Sequence, residues 1–177
     1  MLDDFLIPFA TIALAELGDK SQIAIVLLAA KTRQHFPLLF GVLLAFFVVD
    51  GVAVALGGWV SELLPGYWMA IVSGSLFLAM GVMTLLAPDG DDQAPTARVL
   101  SSPLWTGFLL IFLAEWGDKT QIATAVFATQ YQPWLVLGGT LCALTLLSLI
   151  ALYAGKWLLK RIHPAHLKPL VGILFVV

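Results

Sequence analysis

The sequence predicts an all-α polytopic membrane protein: six transmembrane helices forming two inverted three-helix repeats, with the last helix incomplete. Three observations predict it. Of the 177 residues, 60% are hydrophobic and only 11% charged, where a soluble domain carries about 25% charged residues. The mean hydropathy is accordingly high, +0.98. The apolar residues fall in long runs, at 5–17, 38–49, 53–60, 68–87, 104–114 and 134–155, and about 20 such residues cross roughly 30 Å of hydrocarbon. Finally, one motif is written twice. Glu16-Leu17-Gly18-Asp19-Lys20-Ser21-Gln22 returns 99 residues later as Glu115-Trp116-Gly117-Asp118-Lys119-Thr120-Gln121, and nine of eleven positions agree between 14–24 and 113–123.

A β-barrel would show roughly ten-residue stretches of alternating polarity, and none is visible. Segment one, about 2–30, contains the first motif, and Pro8 and Gly18 mark places where a membrane helix bends or breaks. The start, Met1-Leu2-Asp3-Asp4, lacks a basic region, and the run that follows enters a charged motif rather than a cleavage site, so no signal peptide is expected. A basic loop, Lys31-Thr32-Arg33-Gln34-His35, leads through Pro37 to segment two at about 38–60, apolar except for Asp50. Gly51, Gly57 and Gly58 in that segment suit close helix packing. Pro65-Gly66 turns into segment three at 68–87. The first repeat is thus 1–87, the Asp-, Pro- and Ser-rich stretch 88–103 is a linker, and 104–177 is the second repeat. Segment four covers about 104–128 with the second motif, a turn at Pro133 matches Pro37, and segment five covers about 134–157. Segment six begins near Leu167 and reaches Val177 after eleven residues, about 16 Å of helix, so it reads as incomplete.

Loop charges orient these segments. Outside the motifs there are seven Lys and Arg: Lys31, Arg33, Arg98, Lys156, Lys160, Arg161 and Lys168. Six spans put all of them on one side, which the positive-inside rule makes cytoplasmic. The N-terminus is therefore expected outside and the 88–103 linker inside. Three spans per repeat invert the second repeat relative to the first, an arrangement that places transport sites near the midplane at the repeat interface. The two motifs then approach one depth from opposite faces, and Glu16, Asp19, Glu115 and Asp118 are expected to converge.

An ionised group at the bilayer centre costs roughly 2.5–3.5 kcal/mol on insertion scales, and this chain carries that cost in duplicate. On a continuous helix Glu16, Asp19 and Gln22 would share a stripe, with Lys20 one turn from Glu16. Two facing stripes supply four carboxylates, the amides of Gln22 and Gln121, and the hydroxyls of Ser21 and Thr120. These are hard oxygen donors, suited to Ca²⁺, Mg²⁺ or Mn²⁺ rather than to Cu⁺ or Zn²⁺. His35, His163 and His166 fall in loops. With Asp50, five intramembrane acids face Lys20 and Lys119, an excess that favours a divalent cation or protons. A carboxylate removed from water binds protons more readily, so the same groups could exchange metal for H⁺.

Simpler roles compete with these. The acids could be internally neutralised Glu–Lys or Asp–Lys packing pairs, against which duplication and the acid excess argue. Lys20 and Lys119 are better read as balancing charge or snorkelling than as touching substrate. Gln22 and Gln121 are read equally as ligands or as interhelical hydrogen-bonding groups. Asp50, which aligns with Leu147 in the second repeat, reads more simply as a satisfied polar residue than as a proton relay or accessory ligand. Asp89-Gly90-Asp91-Asp92 lacks the spacing of an EF-hand loop and reads as solvated linker. Cys142 is the only cysteine, so no intrachain disulfide or thiolate metal cluster is expected, and a net charge of −2 gives no reason to expect a nucleic-acid partner.

The duplicated Glu-x-Gly-Asp-Lys-Ser/Thr resembles the signature of the GDT-type family of divalent cation and manganese exporters. That family includes the Golgi transmembrane protein 165, yeast and chloroplast relatives and bacterial manganese exporters, within the LysE-like superfamily. The resemblance covers both repeats and implies transport of Mn²⁺ or Ca²⁺ in exchange for H⁺. It places the functional acids at Glu16, Asp19, Glu115 and Asp118, accompanied by Gly18, Lys20, Ser21, Gly117, Lys119 and Thr120. The compact loops look like a prokaryotic member, for which the resemblance implies Mn²⁺ efflux across the cytoplasmic membrane. The expectation is then a secondary transporter and not an enzyme, with no prosthetic group and with Mn²⁺ or Ca²⁺ in the site as cargo. Its partners would be the metal ion, H⁺ and the bilayer, with room for a homo-oligomer. A passive cation channel or a metal sensor is the alternative. An intramembrane aspartyl protease using Asp19 and Asp118 fits less well, because Glu16 stands where such proteases resemble one another in having glycine, and both copies carry Lys.

Overall fold

The structure, a computed structural model, describes residues 1–63, 65–86 and 102–158. Their regular elements are all helices: α1 (Leu2–Glu16), α2 (Lys20–Lys31), α3 (His35–Leu63), α4 (Gly66–Leu86), α5 (Pro103–Glu115), α6 (Lys119–Gln130) and α7 (Pro133–Leu158). The expectations for most of the linker, including Asp89-Gly90-Asp91-Asp92 and Arg98, lie outside the described residues, as do those for segment six, Lys160, Arg161, His163, His166 and Lys168. Segments two, three and five appear as α3, α4 and α7. Segments one and four each appear as two short helices, α1 with α2 and α5 with α6, interrupted at the motif.

Helix α3 shows what kind of surroundings the chain is built for. Its buried residues, Leu38, Gly41, Val42, Ala45, Phe46, Val49, Asp50, Ala53, Val54 and Gly57, recur every three or four positions and define one face. The opposite face presents Phe36, Phe40, Phe47, Val52, Leu56, Trp59 and Leu63. A helix on the surface of a soluble protein turns polar residues outward, whereas one that is apolar all round belongs in a large core or a membrane. Both α3 and the stretch Pro133–Tyr153 of α7 are long and apolar enough to cross a bilayer.

The packing is crosswise. Helix α3 lies against α5 and α6, α7 lies against α1 and α2, and α3 and α7 touch each other. Each long helix therefore rests on the broken pair carrying the other copy of the motif. A Cβ on Gly41 would collide with the Leu104 carbonyl, and one on Gly139 with the Phe5 carbonyl, so backbones meet directly at both crossings. One apolar cluster draws on α1, α2, α3, α5, α6 and α7, with Ile12, Ile25, Phe46, Ile111 and Leu144 among its fully buried members. Helix α4 stands at the edge, joined to α6 by the Phe77–Phe127 ring contact at 5.1 Å and by a 3.2 Å hydrogen bond between the Ser73 and Thr129 hydroxyls. Weaker contacts of α1 with α6 and of α2 with α5 bring the interrupted ends together.

Candidate functional site

Each interruption is a type II turn. Leu17 sits at φ −64°, ψ 111° and Gly18 at φ +82°, and the Asp19 N–H donates to the Glu16 carbonyl at 3.1 Å. In the second copy Trp116 sits at φ −68°, ψ 112° and Gly117 at φ +80°, and the Asp118 N–H donates to the Glu115 carbonyl at 3.1 Å. The third residue of a type II turn needs positive φ, which glycine adopts without strain. Asp19 and Asp118 then start new helices in extended conformation, accepting from the N–H groups of Ile23 and Ile122, both at 3.2 Å. Backbone freed inside a membrane needs new partners, and Gln121 provides one. Its Oε1 accepts the Gly117 N–H at 2.7 Å while its Nε2 donates to the Val49 carbonyl of α3 at 3.3 Å. Asp118 and Gln121 thus stand at the spacing of a helix-capping pair, with Gln121 reaching back one residue beyond the cap.

Around these turns the acids of both copies meet. Ligand oxygens of Glu16, Asp19 and Asp118 all lie within 4.8 Å of one another. Glu115 ends α5 and is buried, but it is not one of the three acids that lie within that distance. Glu16 is fully buried, and its Oε1 accepts a hydrogen bond from the Thr120 hydroxyl. The Lys119 ammonium lies 3.6 Å from the same oxygen and 3.1 Å from Asp19 Oδ2. Lys119 therefore serves the acids of the other copy.

Of the four carboxylates expected to converge, Glu16, Asp19 and Asp118 come together, by a route other than the expected continuous stripe. Glu16 and Asp19 are separated by a turn, so the i,i+3 and i,i+4 geometry does not apply; the positive-φ glycine breaks the helix between them. Glu16 closes α1 and Asp19 opens α2, so both point to a place where helix ends meet. Gln121 is occupied with its own turn and with α3, while Gln22 is buried with Nε2 unpartnered, as is the Ser21 hydroxyl. Asp50 is buried on α3 with Oδ1 unpartnered and Thr124 as its polar neighbour. Leu147 is buried on α7. His35 begins α3, with a ring nitrogen 3.3 Å from the Ala29 carbonyl, away from the acids. Sequence reasoning missed the crossing of Lys119 and Thr120 to Glu16, and it missed Thr124. The polar pair Thr120 and Thr124, one turn apart in apolar α6, was the available signal.

The chain matches the family model described as divalent cation/proton antiporter GDT1 over residues 4–92 and 103–177. A protein of Vibrio cholerae serotype O1 named as a manganese exporter is 36% identical over 143 residues, covering 76% of this chain and 68% of the relative. The GDT1-like protein 5 of Oryza sativa subsp. japonica is 28% identical over 99% of this chain and 92% of its own length. The GDT1-like protein sll0615 of Synechocystis is 27% identical over 99% of this chain and 94% of its own length. No solved structure matches the chain. Both halves, each with its own copy of the motif, fall inside the family match, and the chain belongs to the divalent cation/proton antiporter GDT1 family.

Proposed function

We propose that this protein carries a divalent cation, Mn²⁺ before Ca²⁺, out of the cytoplasm in exchange for protons by alternating access. Its six spans would form two inverted repeats in a prokaryotic cytoplasmic membrane, with the N-terminus outside. The observation that carries the reading is the meeting of Glu16, Asp19 and Asp118 within 4.8 Å at the ends of four short helices. Oxygens at that separation suit one hard cation with metal–oxygen bonds of roughly 2.1–2.6 Å. Glu115 supplies a fourth carboxylate, and the carbonyl ends of α1 and α5 can serve a cation as unwound transporter helices do. Glu16, Asp19, Asp118 and Glu115 bind the cargo; Ser21, Thr120, Gln22 and Gln121 position them; Asp50 stands by as an accessory acid.

Proton exchange follows from the same groups, since carboxylates that release a cation in a dry site take up protons instead. The test is Mn²⁺ flux in sealed vesicles under an imposed pH gradient. Glu16→Gln and Glu115→Gln keep shape and remove charge, and each is expected to lower flux roughly 10–100-fold, the range seen when even the partners of metal ligands are removed. Undiminished flux in both variants would sink the site. Flux that persists after the pH gradient is collapsed would favour a channel over an exchanger.

A further inference from the structure

The position of Lys119 has consequences beyond charge balance. Its ammonium contacts Asp19 Oδ2 at 3.1 Å and Glu16 Oε1 at 3.6 Å, two of the three carboxylates whose oxygens could share one ion. An ion bound to Glu16 and Asp19 would stand against the ammonium in a site where like charges repel strongly. The two cations are therefore alternatives. The connection also runs between the two copies of the motif, because Lys119 and Thr120 open α6 while Glu16 closes α1. Glu16 is fully buried with its second oxygen, Oε2, unpartnered, so one acceptor in this site still lacks its donor or cation. The Lys119 side chain is 26% exposed, which leaves it a way out.

We propose that Lys119 is a tethered cation that takes the place of the metal in the empty carrier and must swing aside for cargo to bind. The inference rests on the metal-site reading above and adds how that site is regulated. With the ammonium in place, the acids of the first motif are neutralised and bridged to α6, so the carrier closes without cargo. With the metal in place, the bridge opens and the ammonium is released. Removing the tethered cation leaves the acids free for metal, which strengthens binding and slows release.

The experiment uses the purified full chain in detergent, with free Mn²⁺ followed by its electron paramagnetic resonance signal. If Lys119 fills the site nine-tenths of the time, apparent affinity is reduced tenfold, so Lys119→Gln is expected to bind Mn²⁺ roughly tenfold more tightly than wild type. Lys119→Arg keeps the charge and is expected to bind no more tightly than wild type. In vesicles Lys119→Gln is expected to show a lower KM together with a lower maximal rate, a split that a merely structural lysine would not give. A second measurement needs no variant: acylation of Lys119 by an amine-reactive reagent, read by mass spectrometry, is expected to rise when metal-free wild type is loaded with Mn²⁺. Binding by Lys119→Gln that is equal to or weaker than wild type, or acylation that fails to rise, overturns the proposal while leaving the metal site standing. Wild type that binds no Mn²⁺ overturns the metal-site reading itself, and the proposal with it.

Discussion

Gly117 decides whether the second interruption can form. It sits at φ +80°, and a Cβ built there meets nothing within 4 Å. The penalty for Gly117→Ala is therefore purely backbone strain, about 1–2 kcal/mol, and a lower Tm of the purified protein in detergent is the expected outcome. Gly51 makes the comparison sharp. It too has open space around it, but it lies inside α3, where alanine is favoured over glycine by roughly 0.5–1 kcal/mol. Gly51→Ala is thus expected to raise Tm. Two substitutions of identical chemistry should move stability in opposite directions, and shifts of the same sign would show that the turn does not control the fold there. Thr120 offers a second residue-scale test. Its hydroxyl donates to fully buried Glu16, and a hydrogen bond to a charged group contributes roughly 1.5–3 kcal/mol. Thr120→Val should lower Tm and weaken Mn²⁺ binding, whereas Thr120→Ser, the residue the first copy carries as Ser21, should do neither.

Among the elements, α3 shows how far the sequence could be read and where reading stopped. Hydropathy alone located α3 and α7, because long apolar runs report the surrounding solvent. It could not say which side of α3 faces protein, because Phe40 and Phe47 on one side are as apolar as Phe46 on the other. Of the three glycines the sequence suggested for close packing, a Cβ on Gly57 would collide with the Ala125 carbonyl, one on Gly58 would make ordinary contact with Pro133 at 3.4 Å, and one on Gly51 would touch nothing. Gly41, where a Cβ would strike the Leu104 carbonyl, drew no notice in the sequence, since glycine in an apolar run carries no sign of its facing. The meeting of Glu16, Asp19 and Asp118 was more legible: charge in apolar sequence is expensive wherever it lies, and duplication argues against accident. The cross-copy contacts of Lys119 were not, because they depend on tertiary placement. Gly41→Ala and Gly57→Ala each force α3 away from backbone rather than from a yielding side chain, and overpacking of this kind costs typically 1–3 kcal/mol. Both should lower Tm and Gly58→Ala should leave it nearly unchanged; equal effects at all three positions would contradict the crosswise packing.

For the whole molecule, the proposed mechanism stands on the two broken pairs entering the membrane from opposite faces, because only then does one set of acids serve both. Loop charge predicts that orientation: Lys31 ends α2 and Arg33 follows it, whereas the stretch between α6 and α7 carries no basic residue. The packing is compatible with it, since each long helix rests on the opposite broken pair. The only cysteine, Cys142, is exposed, so Cys142→Ser provides a background into which single cysteines can be placed at four helix ends. Asp3→Cys and Gln132→Cys are expected to react with a membrane-impermeant maleimide in intact cells. Arg33→Cys and Ser102→Cys are expected to react only after permeabilisation. Asp3, in the first turn of α1, and Ser102, just before α5, mark the starts of the two broken pairs, while Arg33 and Gln132 follow them. Opposite labelling within each pair shows that the pair crosses the membrane, and reversal between the pairs shows inversion. Labelling of Asp3→Cys and Ser102→Cys from the same side would make the repeats parallel, and one face would then have to supply both motifs, leaving Glu16 and Asp118 no symmetric way to pass a cation from one side to the other.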